Sequence, residues 1–491
     1  MRRFLSHPRG RMALPFPRAG GGSGGLYPRG MSDLISALEA AGLAPVTDPD
    51  VLAAHSTDHA GLVPAGRAAA LVRAHSTAEV SAALRVAAEF TAPVVAQGAR
   101  TGLAGAATAV DGAVLLDLSP MDRILSIDPV NRLAVCQPGV LNAAISQAAA
   151  EFGLRYSPDP GSWQISTIGG NIATAAGGMC CVKYGTTPEY VLGLEVVLAS
   201  GEVMRCGRRT AKGVAGYDLV RLFCGSEGTL GVITEATLKL APVPAERLTL
   251  AAVFETTADA GRAVTAIMAA GAQPSLLELI DNTHLRAIEA LRPMGLPTEA
   301  AALLLVCADA DPVAELAAIE SLCTAAGASE VYRATDAEEA DALLESRRSA
   351  YHAMEKLGTV LVDDVAVPRS RLAEALDGVQ AAAVKHGVVI GVIAHAGDGN
   401  LHPNIIVHPE DPASLAAGRA AFDEILEMAL AMGGTITGEH GVGLLKRDWL
   451  AKELDPVNLA VQRRIKDALD PLGILNPGKV LAQGPGTQSR R

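Results

Sequence analysis

Aromatic residues are scarce in this chain: Phe, Tyr and Trp make 3% of its 491 residues, although hydrophobic residues make 49%. The apolar mass is therefore Ala, Val, Leu and Ile, which build helices and strands rather than base-stacking platforms. A basic excess is missing as well. The 41 Lys and Arg against 53 Asp and Glu leave a formal charge of −12, and such a surface repels phosphate backbones and anionic lipid, which excludes nucleic acid as a natural partner. No apolar run approaches the roughly 18 residues of a membrane helix; dense stretches such as Gly387–Ala394 have the length of a buried strand. The 7 cysteines are odd in number, scattered and without a C-x-x-C, which argues against a disulfide framework or a thiolate zinc site. A soluble protein of a reducing, cytoplasmic compartment, with no transmembrane segment, is expected.

Length alone allows about three domains' worth of core, the scale of an enzyme. Residues 1–30 hold six Arg and no acid, broken by Pro and a Gly-rich run at 20–25, and cannot form a packed element. They are expected to be a disordered extension, with Met31 opening the folded part. From about Pro64 to Leu240, short β-branched runs at 92–96, 112–116 and 192–198 alternate with Ala-rich helical windows. After the break at Pro242–Pro244 a second such region begins. Its expected strands lie at 248–254, 302–307 and 388–394, and its helices at 258–270, 314–326 and 337–354. Helical patterns at 415–432 and 457–469 then lead to Leu475-Asn476-Pro477-Gly478-Lys479 and a polar tail. The division is thus 31–243, 244–482 and a disordered tail, 483–491.

The 50 glycines mark backbone shapes that other residues resist. After the β run at 93–97, the loop from Gly98 through Arg100, Thr101 and Gly102 to Gly105 can point successive N–H groups at one anion, a nest suited to pyrophosphate. A second cluster, Gly169-Gly170-Asn171 to Gly177-Gly178, brackets a short helical window and permits close approach of a flat ligand. A third spans Gly225 to Gly231. It lacks the Lys of a P-loop, and no G-x-G-x-x-G joins a strand to a helix, so the usual Rossmann and kinase routes to nucleotides are absent.

These clusters, together with Pro158-Asp159-Pro160, Lys183-Tyr184-Gly185 and Gly216-Tyr217-Asp218-Leu219, resemble the vanillyl-alcohol oxidase and para-cresol methylhydroxylase superfamily. Residues 45–482 most resemble its D-2-hydroxy-acid branch. The resemblance implies an α+β chain: a two-part FAD-binding domain, an α+β substrate-binding cap domain and a C-terminal helical segment. It implies FAD contacts from the loop Gly98–Gly105, from Pro158, Asp159, Gly169, Gly170, Asn171, Gly177, Gly178, Tyr184, Glu227 and Ile233, and from Asn476. Two departures stand out: Arg100 where many relatives carry Gly or Asn, and Ala175 where relatives usually show Asn. With no His or Cys in the loop, non-covalent FAD is expected.

A second constellation is legible from geometry. Val388–Ala394 is an apolar strand, Asp398-Gly399 a strong hairpin signal, and Pro403–Val407 the returning strand. With Asp398 and Gly399 as the loop, His395 faces His402 at a Cβ spacing of roughly 4.5–5.5 Å, which suits a shared metal. The alternative is two histidines that are simply hydrogen-bonded. A third ligand is available in Gly438-Glu439-His440-Gly441; two His and one carboxylate with open positions form a catalytic set. The superfamily resemblance implies ligation of a divalent metal, zinc or alternatively manganese or iron, by His395, His402 and Glu439. It also implies proton abstraction by His440, capture of the substrate carboxylate by Arg347 and a further substrate contact from Asn404. The expected substrate is a small D-2-hydroxy acid, D-lactate or glycolate. In relatives taking a dicarboxylic acid such as D-2-hydroxyglutarate a Lys precedes the Val-Pro match, where Val362 stands here. The electron acceptor is left among quinone, cytochrome, flavoprotein, iron-sulfur subunit and oxygen, with a homodimer the assembly kept in view. Competing readings are an ether-lipid synthase-like FAD-dependent transferase and a metallohydrolase, which leaves the glycine clusters without a purpose.

Overall fold

A computed structural model describes residues 30–482; the expectations for the N-terminal extension and the tail lie outside the described residues, apart from Gly30. Near the start, Ala70–Arg73, Val114–Asp117 and Val94–Gln97 form a parallel sheet in that spatial order. Their mostly apolar runs suit strands covered on both faces. Thr77–Phe90 supplies the crossover helix, begun by the Ser76 hydroxyl accepting from the Glu79 amide. An antiparallel five-stranded sheet follows, ordered Ile124–Asp128, Leu133–Cys136, Val232–Lys239, Val191–Val197 and Val203–Gly207. Ile145, Ile168 and Ile172 of two helices, Asn142–Ala150 and Ile168–Thr174, share its core.

Beyond Pro244 the chain builds an antiparallel eight-stranded sheet. Its order is Glu330–Arg333, Leu248–Phe254, Ala302–Ala308, Leu276–Asp281, Ile390–His395, Asn400–Val407 and Thr359–Val362, with Val365–Ala366 beside Asn400–Val407. Leu277, Leu279, Ala394, Leu401 and Ile405 face a large core roofed by helices Thr257–Ala269, Pro312–Ala326, Leu372–His386 and Pro412–Ala431. Each such fully buried Leu or Ile contributes about 1.5–3 kcal/mol. Ile280, Ile393 and Ile406 face a smaller core under helices Asn282–Leu291 and Ala337–Glu355. Because side chains alternate along a strand, Glu278, His395, His402 and Asn404 all fall on this second face. The whole is an α+β fold. The expected strands, apart from the returning one at 403–407, which begins three residues earlier at Asn400, and the helices at 258–270, 314–326 and 337–354 lie within two residues of their observed ends.

The hairpin is not the one expected. Its turn spans 396–399, with the Asp398 and Gly399 amides both donating to the His395 carbonyl at 3.0 and 3.1 Å. Register pairs His395 with Asn400 and His402 with Ile393, so the two histidines are not direct partners across an Asp-Gly loop. The reason lies in Gly397, whose amide donates to the Leu277 carbonyl of the neighbouring strand at 3.2 Å and is thereby drawn into the turn. A shift of two residues preserves the side-chain face. The imidazoles therefore still meet, as diagonal neighbours with ring centroids 4.9 Å apart.

Candidate functional site

A cavity of about 660 Å³ runs between the glycine-bearing loops and the second face of the large sheet. Gly98, Arg100, Thr101 and Gly102 line it from the loop after Val94–Gln97. Gly169, Gly170, Asn171, Gly177, Glu227 and Ile233 continue the wall, and Arg347, Asn404, His395, His402, Glu439 and His440 close the other end. The residues fit a large polar cofactor. Asn171 is buried, yet its Nδ2 has no protein partner and it lines the cavity, a donor that needs a ligand's acceptor. The Gly98 backbone lies so close to Thr167 that a Cβ there would meet its Oγ1 at 2.2 Å.

The other residues expected at the cofactor stand behind this wall. Gly105 packs on Val63 and Leu444. The Pro158 carbonyl accepts from Asn142 Nδ2 at 3.0 Å, and Asp159 caps the Cys180 amide at 2.9 Å. Gly178, with φ +154, lies against the Asp159 backbone. The Tyr184 hydroxyl donates to Asp309 at 2.5 Å while Arg155 covers its ring. Asn476 donates from Nδ2 to the carbonyls of Ala106 and Glu227 at 2.9 and 2.7 Å, latching the first loop to the third cluster. Glu227 lines the cavity, but its carboxylate accepts from the Val442 and Gly443 amides at 2.7 and 2.8 Å. Burial pushes that carboxyl up to about 7.

Both departures from the relatives' pattern occupy left-handed backbone. Arg100 has φ +57 and Ala175, at the end of helix Ile168–Thr174, φ +54. Gly and Asn tolerate that region best, so a Gly or Asn at either position would suit this backbone. The Arg100 guanidinium reaches His55 Nδ1 at 2.7 Å.

At the far end three imidazole nitrogens converge on one oxygen, Glu439 Oε1. Nε2 of His395, His402 and His440 lie 3.1, 3.4 and 4.0 Å from it, and the His402 and His440 rings stack at 4.9 Å. Glu439 rests directly on the wall built by the glycine clusters: a Cβ on Gly177 would meet its Oε2 at 2.0 Å. Burial would raise the Glu439 pKa, but the His395 and His402 charges hold it well below the carboxylate range. Burial would lower that of His395, and Glu278 and Glu439 overcome it and raise it. His440 is pushed down to about 4, chiefly by burial. Two overlapping groups, His395/His402/Glu439 and Asp364/His402/His440, have ligand atoms close enough to hold a metal. Asp364 already accepts from Asn400 Nδ2, the Thr437 hydroxyl and the Glu439 and His440 amides. In the first group the ligand atoms turn toward one another, His395 Nε2 meeting Glu439 Oε1 at 3.1 Å, and the buried His402 Nδ1 has no hydrogen-bond partner.

Sequence reasoning missed the residues that hold this cluster. Glu278 accepts from His395 at Nδ1 and from Arg347 Nε, both at 2.7 Å. His284 Nε2 meets Asn404 Nδ2 at 2.8 Å and is itself held by Asp281 at 3.0 Å. Lys446, almost wholly buried, spans Asp363 and the Asp364 and Ile436 carbonyls. The available signal was an acid amid apolar strand residues, as in Leu276–Asp281, because a buried carboxylate demands a charged partner.

Fold and site together define a flavin-dependent oxidoreductase. Residues 68–207 match the FAD binding domain family and 243–480 the C-terminal domain of FAD linked oxidases. Glycolate oxidase subunit GlcD of Bacillus subtilis is 42% identical over 84% of this chain and 89% of that protein. D-lactate dehydrogenase of Anaerostipes hadrus is 38% identical over 84% of this chain and 89% of that protein. The chain belongs to the FAD-linked oxidases, of the glycolate oxidase and D-lactate dehydrogenase type. Among solved structures, p-cresol methylhydroxylase shares the fold with a TM-score of 0.75, at 19% identity over 92% of this chain and 97% of that one. Alkyldihydroxyacetonephosphate synthase does so at 0.70 and 19%, over 92% and 85%. Among the described residues no helix is long and apolar enough to cross a membrane.

Proposed function

We propose that this enzyme oxidises a small D-2-hydroxy acid, D-lactate or glycolate, to the 2-oxo acid. The carrying observation is that Arg347, Asn404 and the imidazole-carboxylate cluster open into the same cavity as the glycine loops. FAD, when bound, supplies the hydride acceptor, and a divalent cation supplies Lewis acidity toward the substrate hydroxyl. His395, His402 and Glu439 would hold the cation, with zinc the expected ion and manganese or iron the alternatives. Arg347 spends Nε on Glu278 and has no other protein hydrogen bond among the described residues, so its Nη groups can grip a carboxylate. Asn404 spends Nδ2 on His284 and offers Oδ1. His440, kept neutral by burial, accepts the hydroxyl proton at Nε2.

Val362 lines the cavity as an apolar wall and favours a monocarboxylate, whereas Arg348 on the neighbouring wall favours the dicarboxylic alternative, D-2-hydroxyglutarate. The flavin is held without a covalent bond, since the loop Gly98–Gly105 has no His or Cys; exposed His59, which reaches the cavity from outside it, is the side chain that acid precipitation would expose as an attachment point. We assign 31–243 to FAD and 244–482 to the acid and metal, in keeping with their separate cores. A quinone, cytochrome, flavoprotein, iron-sulfur subunit or oxygen then reoxidises the flavin. A panel of 2-hydroxy acids with a dye acceptor tests the reading: fastest turnover on D-lactate or glycolate supports it, and none on any 2-hydroxy acid refutes it.

A further inference from the structure

Glu278 is fully buried among the leucines and isoleucine of strand Leu276–Asp281, and each of its oxygens has one partner. Oε1 lies 2.7 Å from His395 Nδ1 and Oε2 lies 2.7 Å from Arg347 Nε. Register explains the first contact, because Glu278 and His395 are direct cross-strand partners. The second comes from helix Ala337–Glu355, which crosses that face of the sheet. A carboxylate only accepts, and Arg347 Nε always donates. His395 must then present Nδ1–H to Glu278, which leaves Nε2, 3.1 Å from Glu439 Oε1, as the nitrogen that would give up its proton to take a cation.

We propose that Glu278 is a positioning residue which fixes the His395 tautomer for metal binding and at the same time orients Arg347 toward the substrate carboxylate. This rests on the metal and acid roles proposed above. One side chain thereby sets both the cation's donor atom and the acid's anchor.

Glu278→Gln separates the two duties. An amide has one acceptor oxygen and must give it to Arg347, whose Nε–H cannot be removed. Its NH2 then faces His395 Nδ1 and drives the proton to Nε2, the ligating atom. The test counts Mn²⁺ or Zn²⁺ retained by FAD-loaded enzyme under a graded chelator challenge. The Gln variant is expected to keep its FAD and release metal at about 10–100-fold lower chelator concentration. Raising Mn²⁺ should restore kcat, with KM for the acid near the wild-type value. A merely structural loss would lower melting temperature and FAD content without steepening the metal requirement. Should the Gln variant fail to hold FAD, Glu278→Asp keeps the charge but is one methylene too short to reach both partners, and the same metal loss is expected. Wild-type metal retention in either folded variant overturns the proposal, as does a raised KM with metal retention unchanged. Full wild-type activity without metal would instead overturn the underlying reading of the cluster, and the proposal with it.

Discussion

Removing His440 should separate proton abstraction from metal binding. Its Nε2 is the outlying one of the three imidazoles, 4.0 Å from Glu439 Oε1 against 3.1 and 3.4 Å for His395 and His402. The neighbouring backbone does not depend on its ring, because the Glu439 and His440 amides are both held by Asp364 at 2.9 Å. In His440→Ala the ligands therefore stay in place and only the proton acceptor is lost. A general base contributes about 10²–10⁴ in rate, or roughly 2.7–5.5 kcal/mol in the barrier. The loss of stacking on His402 costs a further ~0.5–1.5 kcal/mol, in folding stability alone. Anaerobic stopped-flow mixing with D-lactate, followed by flavin bleaching, should show that fall with metal content near wild type by elemental analysis. Loss of metal in His440→Ala would make His440 a ligand, and an unchanged bleaching rate would place the base elsewhere.

Arg347→Lys keeps a charge but loses the two-pronged grip and the Nε bond to Glu278, so kcat/KM should fall about 10–100-fold in steady-state assays, through KM and kcat together; wild-type kinetics would remove Arg347 from the acid site. In Gly102→Val the nearest protein atom to the new Cβ is Asp58 Oδ2 at 3.7 Å, so the variant should fold and lose flavin through obstruction of the cavity; full flavin content by absorbance would take this loop out of the cofactor site. Ala175→Gly relieves about 1–2 kcal/mol of left-handed strain and adds about 0.5–1 kcal/mol of chain entropy, a net gain of roughly 0.5–1 kcal/mol. A lowered denaturant midpoint would contradict that accounting.

Periodicity made the large sheet legible. The runs at 248–254 and 302–308 are apolar but for Thr249 because helices cover both faces, and their neighbouring helices have strong N-caps such as Thr256 and Asp336. The strand Leu276–Asp281 was not legible, since Glu278 interrupts the run and its charge is satisfied only by Arg347 and His395, far away in sequence. The same nonlocality hid Asp364, whose acceptors serve a loop of the C-terminal segment. The hairpin shows the other limit: Asp-Gly marked the turn, but its length depended on a bond from Gly397 to a third strand. The metal-type cluster survived that error because a two-residue slip leaves the face unchanged.

On the proposed reading, the flavin cavity and the imidazole-carboxylate cluster act as one site on a 2-hydroxy acid. The direct measurement is anaerobic flavin reduction by D-lactate and by glycolate, before chelation, after complete metal removal, and after addition of Zn²⁺ or Mn²⁺. The yellow enzyme is expected to bleach with at least one of the two acids, to lose that response on metal removal with FAD still bound, and to regain it with either ion. Bleaching at full rate by metal-free enzyme, or none by either acid in the metal-loaded protein, would contradict it.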